Sequence, residues 1–249
     1  MNNEEHTQPV AHAAPQANPM AIPVAIIIAG GLIAAAVILG GSRDGSPAAV
    51  VNAGAGQQQP PAVVVDKAEL AIRSDDHIRG NANADVVLLE WSDLECPFCK
   101  RHHDSMNQLM KDYEGKVQWV YRSYPLDFHT YSKKESEAAE CANEIAGAEG
   151  FWKFVDTVFS VSPGNNALDR AKLDPIAKTA GIDAAKFSAC LDSGKMAGRV
   201  QKDIESGARA GVQGTPFTVA FNKKTGKQTV INGALPLQAI KAQLAQVGL

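Results

Sequence analysis

The chain carries Glu-Trp-Ser-Asp-Leu-Glu-Cys-Pro-Phe-Cys at residues 90–99, and the expected architecture follows from this segment and its neighbours. The apolar run Val-Val-Leu-Leu at residues 86–89 precedes it and is typical of a buried strand. From residue 96 to residue 113 the apolar side chains recur at helical spacing. The sequence therefore predicts a Cys-x-x-Cys pair at the point where a strand passes into a helix.

This position determines the chemistry expected of the two cysteines. Cys96 faces the unpaired N–H groups and the positive dipole end of the predicted helix, which favour a thiolate over a thiol. Pro97 suits the first helical turn, where its missing N–H has no consequence. Cys99 follows one turn later and is within reach for a disulfide. The pattern predicts a redox dithiol.

Composition excludes several other functions. The chain has 249 residues and a formal charge of −3, with 24 Lys and Arg against 27 Asp and Glu. It therefore lacks the excess of basic residues that is typical of nucleic-acid-binding proteins. A Gly-rich phosphate loop and a Ser/His/Asp arrangement are both absent from the sequence. The cysteines are even in number, as an oxidising compartment allows, and permit three pairings: Cys96, Cys99, Cys141 and Cys190.

The first quarter of the chain is predicted to lie outside the folded domain. Residues 1–21 are polar and read as a disordered tail. Residues 24–41 consist only of Val, Ala, Ile, Leu and Gly, and residues 22–41 are about long enough to cross a bilayer core of roughly 30 Å. We predict a single transmembrane anchor at 22–41, followed by a flexible linker at 42–62.

Two alternatives compete with the anchor. A cleaved signal peptide is disfavoured because the apolar run exceeds the usual length and no basic segment precedes it. A buried core helix is disfavoured because its surroundings offer no core. The flanking charges do not orient the anchor, so an extracytoplasmic placement of the following domain rests on its cysteine chemistry alone.

Residues 63–249 are predicted to form one α/β domain. Its sequence indicates a short edge strand at 63–65, a turn-rich approach at 75–84 and a strand–helix–strand unit ending at residue 121. A helical insertion of about 130–208 follows, and the chain finishes as strand, strand, helix. The predicted insertion helices cover 133–146, 151–159, 169–180, 183–191 and 196–208, and the final elements cover 217–221, 228–231 and 235–247.

These features together resemble the DsbA-like thiol–disulfide oxidoreductases of the thioredoxin-fold superfamily. The resemblance rests on residues 90–99, on Gly-Thr-Pro-Phe at 214–217 and on the helical insertion. It covers roughly residues 76–249 and implies a thioredoxin-like fold with an inserted helical subdomain. In this family an acidic residue lies beneath the active site, six positions before the first cysteine. Glu90 occupies that position.

The resemblance also implies a role for each residue of the dithiol motif. Cys96 is expected to be an exposed nucleophile that forms a mixed disulfide with a client thiol, and Cys99 to close or resolve it. Pro97 and Phe98 would tune the potential and shape the contact surface. Glu90 would exchange a proton with Cys99, unless it is an ordinary surface glutamate at a strand end.

A second loop is expected beside the dithiol. The family has a cis proline before the third sheet strand, and Pro216 matches it here. Thr215 would then offer backbone groups to an extended client segment, by strand addition. Gly214 is expected to allow the close approach that this turn needs.

Cys141 and Cys190 have two interpretations. Both lie in apolar stretches of the insertion, where a free buried cysteine behaves as a small apolar residue. The alternative is a structural disulfide, which some members of the resembled family carry.

Histidines supply a competing function. Two thiols and one imidazole from Cys96, Cys99, His102 and His103 could share a helical face and bind zinc or copper. Adjacent histidines point in different directions, so we predict no metal site and no cofactor. His77 and His129 are interpreted as surface residues.

We therefore predict a membrane-anchored thiol–disulfide oxidoreductase with an extracytoplasmic catalytic domain. The predicted reaction is disulfide introduction into exported client proteins with free thiols, and a membrane redox partner would reoxidise or reduce the dithiol. A reductase or isomerase of the same fold, or a non-enzymatic metal or peptide binder, are the alternatives.

Overall fold

The structure is a computed structural model that describes residues 64–249. Five strands form one sheet in the order β1-β3-β2-β4-β5, in which β2 and β3 are parallel and the other neighbours antiparallel. The strands are β1 (His77–Gly80), β2 (Val86–Ser92), β3 (Val117–Ser123), β4 (Phe217–Asn222) and β5 (Gln228–Asn232). The helices are α1 (Lys67–Leu70), α2 (Pro97–Asp112), α3 (Ser132–Val161), α4 (Arg170–Thr179), α5 (Ala184–Ser193), α6 (Ala197–Arg209) and α7 (Leu237–Gln246).

The central strand β2 has layers on both sides. Its residues are all buried, and they alternate between two apolar cores because successive side chains of a strand point to opposite faces. Val86 and Leu88 pack with the α2 residues Met106 and Leu109, whereas Leu89 belongs to the core on the other face. Every even-numbered side chain of β2 therefore faces the layer that holds α2.

The predicted parallel unit is confirmed, but the sheet edges differ from the prediction. His77–Gly80 forms the edge strand β1 beside β3, where the sequence indicated turns. Val65 lies in no strand. Its N–H and C=O instead pair with the side-chain amide of Gln228, at 3.0 Å each. Whether each segment forms a strand depends on its pairing with residues distant in the chain, and local sequence does not encode that pairing.

The helical insertion follows the prediction closely. The predicted helices at 133–146 and 151–159 form one element, α3, which kinks at Gly147, where φ is 64°. The three following helices lie within two residues of their predicted bounds.

A buried ionic group joins the insertion to the sheet. Arg122 of β3 donates to both carboxylate oxygens of Asp76, at 2.9 and 2.8 Å. Asp203 of α6 accepts from the N–H of Ser123 at 3.0 Å and pairs with Arg73. Buried charges are tolerated when they are paired and hydrogen-bonded, as these are. The contacts fix α6 against the end of β3.

Within residues 64–249, no helix is both long and apolar enough to cross a membrane. The predicted tail, anchor and linker, at 1–21, 22–41 and 42–62, lie outside the described residues.

Candidate active site

Cys96 is the N-cap residue of α2, and Pro97 is the first residue inside the helix. The Cys96 carbonyl accepts the N–H of Lys100 at 3.1 Å, which starts the helical ladder. No side chain caps this helix end. The free N–H groups of the first turn are therefore available to the sulfur of Cys96, as the sequence predicted.

The surroundings of Cys96 favour its thiolate. A hydrogen bond from the Cys99 thiol is the largest influence and lowers the pKa of Cys96 to about 6. The N–H groups of Cys99 and Phe98 and a contact with Thr215 act in the same direction, while burial opposes them. At neutral pH most of Cys96 is consequently ionised.

Cys99 has the opposite character. It is fully buried, and burial raises its pKa well above the ordinary value of 9.0. The neighbouring Cys96 sulfur and the charge of Glu90 raise the pKa further. The N–H of Asp93 donates to the Cys99 sulfur at 3.4 Å. The two thiols of the motif thus differ strongly in acidity, with Cys96 the more acidic.

Glu90 lies beneath the dithiol with 1 % of its surface exposed. Its Oε2 accepts from the indole N–H of Trp119 at 2.8 Å. Burial raises the pKa of this carboxyl to about 7. The alternative of a surface glutamate is wrong, because β2 is covered on both faces up to its last residue.

The loop before β4 meets the dithiol. The Thr215–Pro216 bond is cis, and the Sγ of Cys96 lies 3.5 Å from the carbonyl oxygen of Thr215. Both geometric predictions for this loop are confirmed. The prediction for Gly214 is wrong, since a Cβ at that position would meet nothing within 4 Å.

Cys96 is less accessible than predicted, with 4 % of its surface exposed. A second loop, residues 162–166, packs beside it, and the N–H of Asn165 donates to the carbonyl of Glu95 at 2.8 Å. A Cβ at Gly164, where φ is +77°, would lie 2.8 Å from the same carbonyl. The glycine that permits close approach at this site is therefore Gly164.

Two aromatic side chains near the motif remain exposed to solvent. Phe98, in the first turn of α2, has 54 % of its surface exposed, and Phe128 has 71 %. The carbonyl of Phe128 accepts from Asn166, which belongs to the loop at 162–166 beside the dithiol. Trp91 and Phe217 are instead core residues.

A buried acidic group, which sequence reasoning missed, flanks the motif at the start of α3. Asp93 accepts from His129 and the N–H of Leu126, both at 2.8 Å, and from the hydroxyl of Ser132 at 2.5 Å. Glu135 has no hydrogen-bond partner, and burial raises its pKa to about 9. His129 is thus buried against a carboxylate, and its prediction as a surface residue is wrong.

The histidines of α2 are engaged elsewhere. His102 Nε2 lies 3.0 Å from the hydroxyl of Thr218, and His103 Nε2 lies 2.7 Å from Asp156. In the described part of the chain, no group of three or more His, Cys, Asp or Glu is arranged to hold a metal ion. His77 is also buried, against Glu140 at 2.9 Å, so its prediction as a surface residue is wrong as well.

The second cysteine pair is a disulfide. Cys141 of α3 and Cys190 of α5 are bonded with their Cα atoms 5.8 Å apart, whereas Cys96 and Cys99 are free. Of the two interpretations left open by the sequence, the structure has the disulfide. It ties two helices of the insertion together and lies apart from the redox motif in the chain.

Comparison with known proteins identifies the class. A family model described as thioredoxin matches residues 73–233, more than half of the chain. The chain therefore belongs to the thioredoxin family.

The fold is that of the DsbA proteins. DsbA2 of Pseudomonas aeruginosa is similar with a TM-score of 0.60 and 24 % identity, over 70 % of this chain and 95 % of that protein. Oxidised BdbD of Bacillus subtilis is similar with a TM-score of 0.60 and 22 % identity. The match covers 74 % of this chain and 95 % of that protein.

Curated relatives of higher identity are much longer proteins. The chain is 34 % identical over 142 residues to a Na(+)/H(+) antiporter, NhaA 3, of Salinispora tropica, which is 57 % of this chain and 21 % of that protein. An NhaA antiporter of Herminiimonas arsenicoxydans is 33 % identical to the chain, with the same coverage of both proteins. The chain spans about a fifth of the length of these relatives.

Proposed function

We propose that this protein is a thiol–disulfide oxidoreductase that introduces disulfides into exported proteins through Cys96 and Cys99. The asymmetry of the dithiol is the observation that carries the proposal. Stabilising one thiolate stabilises the reduced form, which makes the disulfide a stronger oxidant. With a pKa of about 6, the Cys96 thiolate is stabilised at neutral pH, and this stabilises the reduced form.

The reaction follows from the two acidities. A client thiolate attacks the Cys96 sulfur of the Cys96–Cys99 disulfide, and Cys99 leaves and takes up a proton. A second client thiolate then attacks the client sulfur of the mixed disulfide. Cys96 departs as a thiolate without needing a proton, since its pKa is about 6. The client gains a disulfide, and the protein is left as the dithiol.

The other predicted site residues have places in this scheme. Thr215 presents its carbonyl next to Cys96 and would align an extended client segment, with the cis Pro216 shaping the loop. Pro97 supplies the first helical turn, and Phe98 offers an exposed aromatic contact. A membrane-bound redox partner would reoxidise the dithiol.

We further propose that residues 22–41 anchor the chain and that the domain works outside the cytoplasm. Carbonate extraction of membranes from cells that express the full chain tests this, and release of the protein into the soluble fraction would contradict it. Ion transport is not proposed, because the match to the antiporters covers only 21 % of their length.

The experiment that tests the reaction is the reoxidation of reduced ribonuclease by the oxidised protein, with insulin reduction measured in parallel. If the protein is an oxidase, ribonuclease should regain activity in proportion to the amount of oxidised protein added, and insulin should be reduced only slowly. A reductase shows the reverse. In the insulin assay, the Cys96 thiolate of the Cys99→Ser variant should attack an insulin disulfide, release one insulin thiol and retain the other as a mixed disulfide on Cys96. Failure to retain insulin would contradict the assignment of the nucleophile.

A further inference from the structure

Ser92 is a buried hydroxyl that the scheme above does not use. It is the last residue of β2 and has no exposed surface. Its Oγ has no well-directed hydrogen bond. Because buried polar groups nearly always have partners, such an atom requires an explanation.

The alternation of β2 explains what surrounds this hydroxyl. Ser92 follows Glu90 by two residues, so both side chains lie on the face covered by α2. Cys99 is on α2, and its sulfur accepts the N–H of Asp93, the next residue after Ser92. Tyr121, the neighbour of Glu90 on β3, is on the same face.

Strand geometry thus puts Ser92 on the same face as Glu90 and Tyr121 and next to the residue that contacts the Cys99 sulfur. In keeping with that position, its hydroxyl lowers the pKa of the Glu90 carboxyl, of the Cys99 thiol and of the Tyr121 phenol. His102, on α2, faces the same space at 3.7 Å from Glu90 Oε2, and burial lowers its pKa to about 4. His102 is therefore uncharged at neutral pH and is not the proton donor.

We propose that Ser92 relays a proton between the Glu90 carboxyl and the Cys99 sulfur during disulfide exchange. This deepens the proposed function and rests on it. As the Cys96–Cys99 bond breaks, the Ser92 hydroxyl gives its proton to the Cys99 thiolate and takes one from the protonated Glu90 carboxyl. The products are a thiol, the same hydroxyl and a carboxylate. When the protein is reoxidised, the proton returns along the same route.

The two half-reactions respond differently to this relay. Cys99 must gain a proton in the first step, because burial disfavours its thiolate. Cys96 leaves in the second step as a stable thiolate and needs none. Loss of Ser92 should consequently slow the first step and leave the second unchanged, a split that a merely structural role would not produce.

The test is single-turnover reduction of the oxidised full chain by a dithiol peptide, followed from pH 5 to pH 9. Ser92→Ala should slow formation of the mixed disulfide about 100-fold, the lower end of the range for removing a proton-transfer group. Ser92→Thr, which keeps the hydroxyl, should restore the rate. Release of Cys96 and its thiolate titration should not change.

A matched control is Ser136→Ala. Ser136 is an equally buried serine without a hydrogen-bond partner, on α3, and its loss should leave both steps unchanged. The Glu90→Gln variant completes a double-mutant cycle. If Ser92 carries the proton of Glu90, then Ser92→Ala adds no further slowing in the Glu90→Gln background.

Two results would overturn the relay. One is an unchanged first step in Ser92→Ala, and the other is equal slowing by that substitution with and without the Glu90 carboxyl. Absence of exchange in the wild-type protein would instead contradict the proposed function itself. The two failures are thus distinguishable in one set of measurements.

Discussion

The molecule contains two cysteine pairs with opposite behaviour. Cys96 and Cys99 are three residues apart at a helix start, and both are free thiols. Cys141 and Cys190 are 49 residues apart in two packed helices, and they are bonded. The first pair is surrounded by groups that push its two pKa values apart. The second lies in a core where the rings of Phe154 and Phe187 are 5.5 Å apart.

The comparison shows that surroundings determine what a cysteine pair does. Beside the first pair, backbone N–H groups, the Thr215 side chain and a buried carboxyl each favour one protonation state over the other. The second pair is bonded, and its disulfide constrains the chain. We expect the first to control activity and the second to control stability, and the following predictions test that division.

The largest effect is expected for Cys96→Ser. A serine hydroxyl is far less acidic than this thiol and forms no disulfide, so exchange with clients should fall to the uncatalysed background. Ribonuclease reoxidation measures it. The matched control is Cys141→Ala with Cys190→Ala, which should retain activity within about twofold. Large activity loss in that control would break the division.

The second effect concerns stability. Removing the Cys141–Cys190 bond opens a loop of 49 residues, and the chain-entropy relation gives a loss of about 4 kcal/mol in the free energy of unfolding, as an upper figure. Urea unfolding of the double-alanine variant tests this. Cys96→Ser with Cys99→Ser is the comparison, because it removes the other pair. An equal or larger loss in that comparison would contradict the assignment.

A third effect links stability near the redox pair to pH. Burial raises the pKa of Glu135 from 4.5 to about 9, so the folded state holds a proton that the unfolded state releases. Stability should therefore decline as pH rises from about 4.5 towards 9, by on the order of 3 kcal/mol at pH 7. Glu135→Gln does not titrate and should remove this decline.

Urea unfolding at pH 5 and pH 8 measures the difference. The stability gained by Glu135→Gln should grow with pH, whereas Glu149→Gln, at an exposed position of the same helix, should give no such trend. A gain independent of pH would mean that the carboxyl of Glu135 ionises normally.

Sequence alone predicted the redox pair well. The strand-to-helix position of residues 90–99, the insertion helices and the location of Pro216 all follow from local patterns and from the resemblance. The relation between Glu90 and Ser92 was also accessible, because a strand places residues two apart on one face. A buried serine beside a buried acid is the signal that was overlooked.

Other features depend on contacts between distant residues. The acidic group around Asp93 combines the motif with the loop that carries His129 and with the first turn of α3. The low exposure of Cys96 comes from the loop at 162–166 and from Thr215. The pairing of Cys141 with Cys190 depends on how α3 and α5 pack. Neither composition nor periodicity encodes such contacts.

The smallest predicted effect separates the two thiols of the redox pair. The charge of Glu90 raises the pKa of Cys99, while Glu90 is not among the main influences on Cys96. This repulsion exists only when the carboxyl is ionised, above its pKa of about 7. Glu90→Gln should therefore lower the pKa of Cys99 and leave that of Cys96 near 6.

Cysteine Cβ chemical shifts of the reduced protein, recorded from pH 4 to pH 11, report both thiols separately. In the wild type the Cys99 signal should also show a small inflection near pH 7, where Glu90 ionises. That inflection should vanish in Glu90→Gln. If the substitution moved both cysteines equally, Glu90 would act on the dithiol as a whole. Glu90 would then not explain why the pKa of Cys96 is low and that of Cys99 is high. The backbone N–H groups at the start of α2 would be the next groups to test.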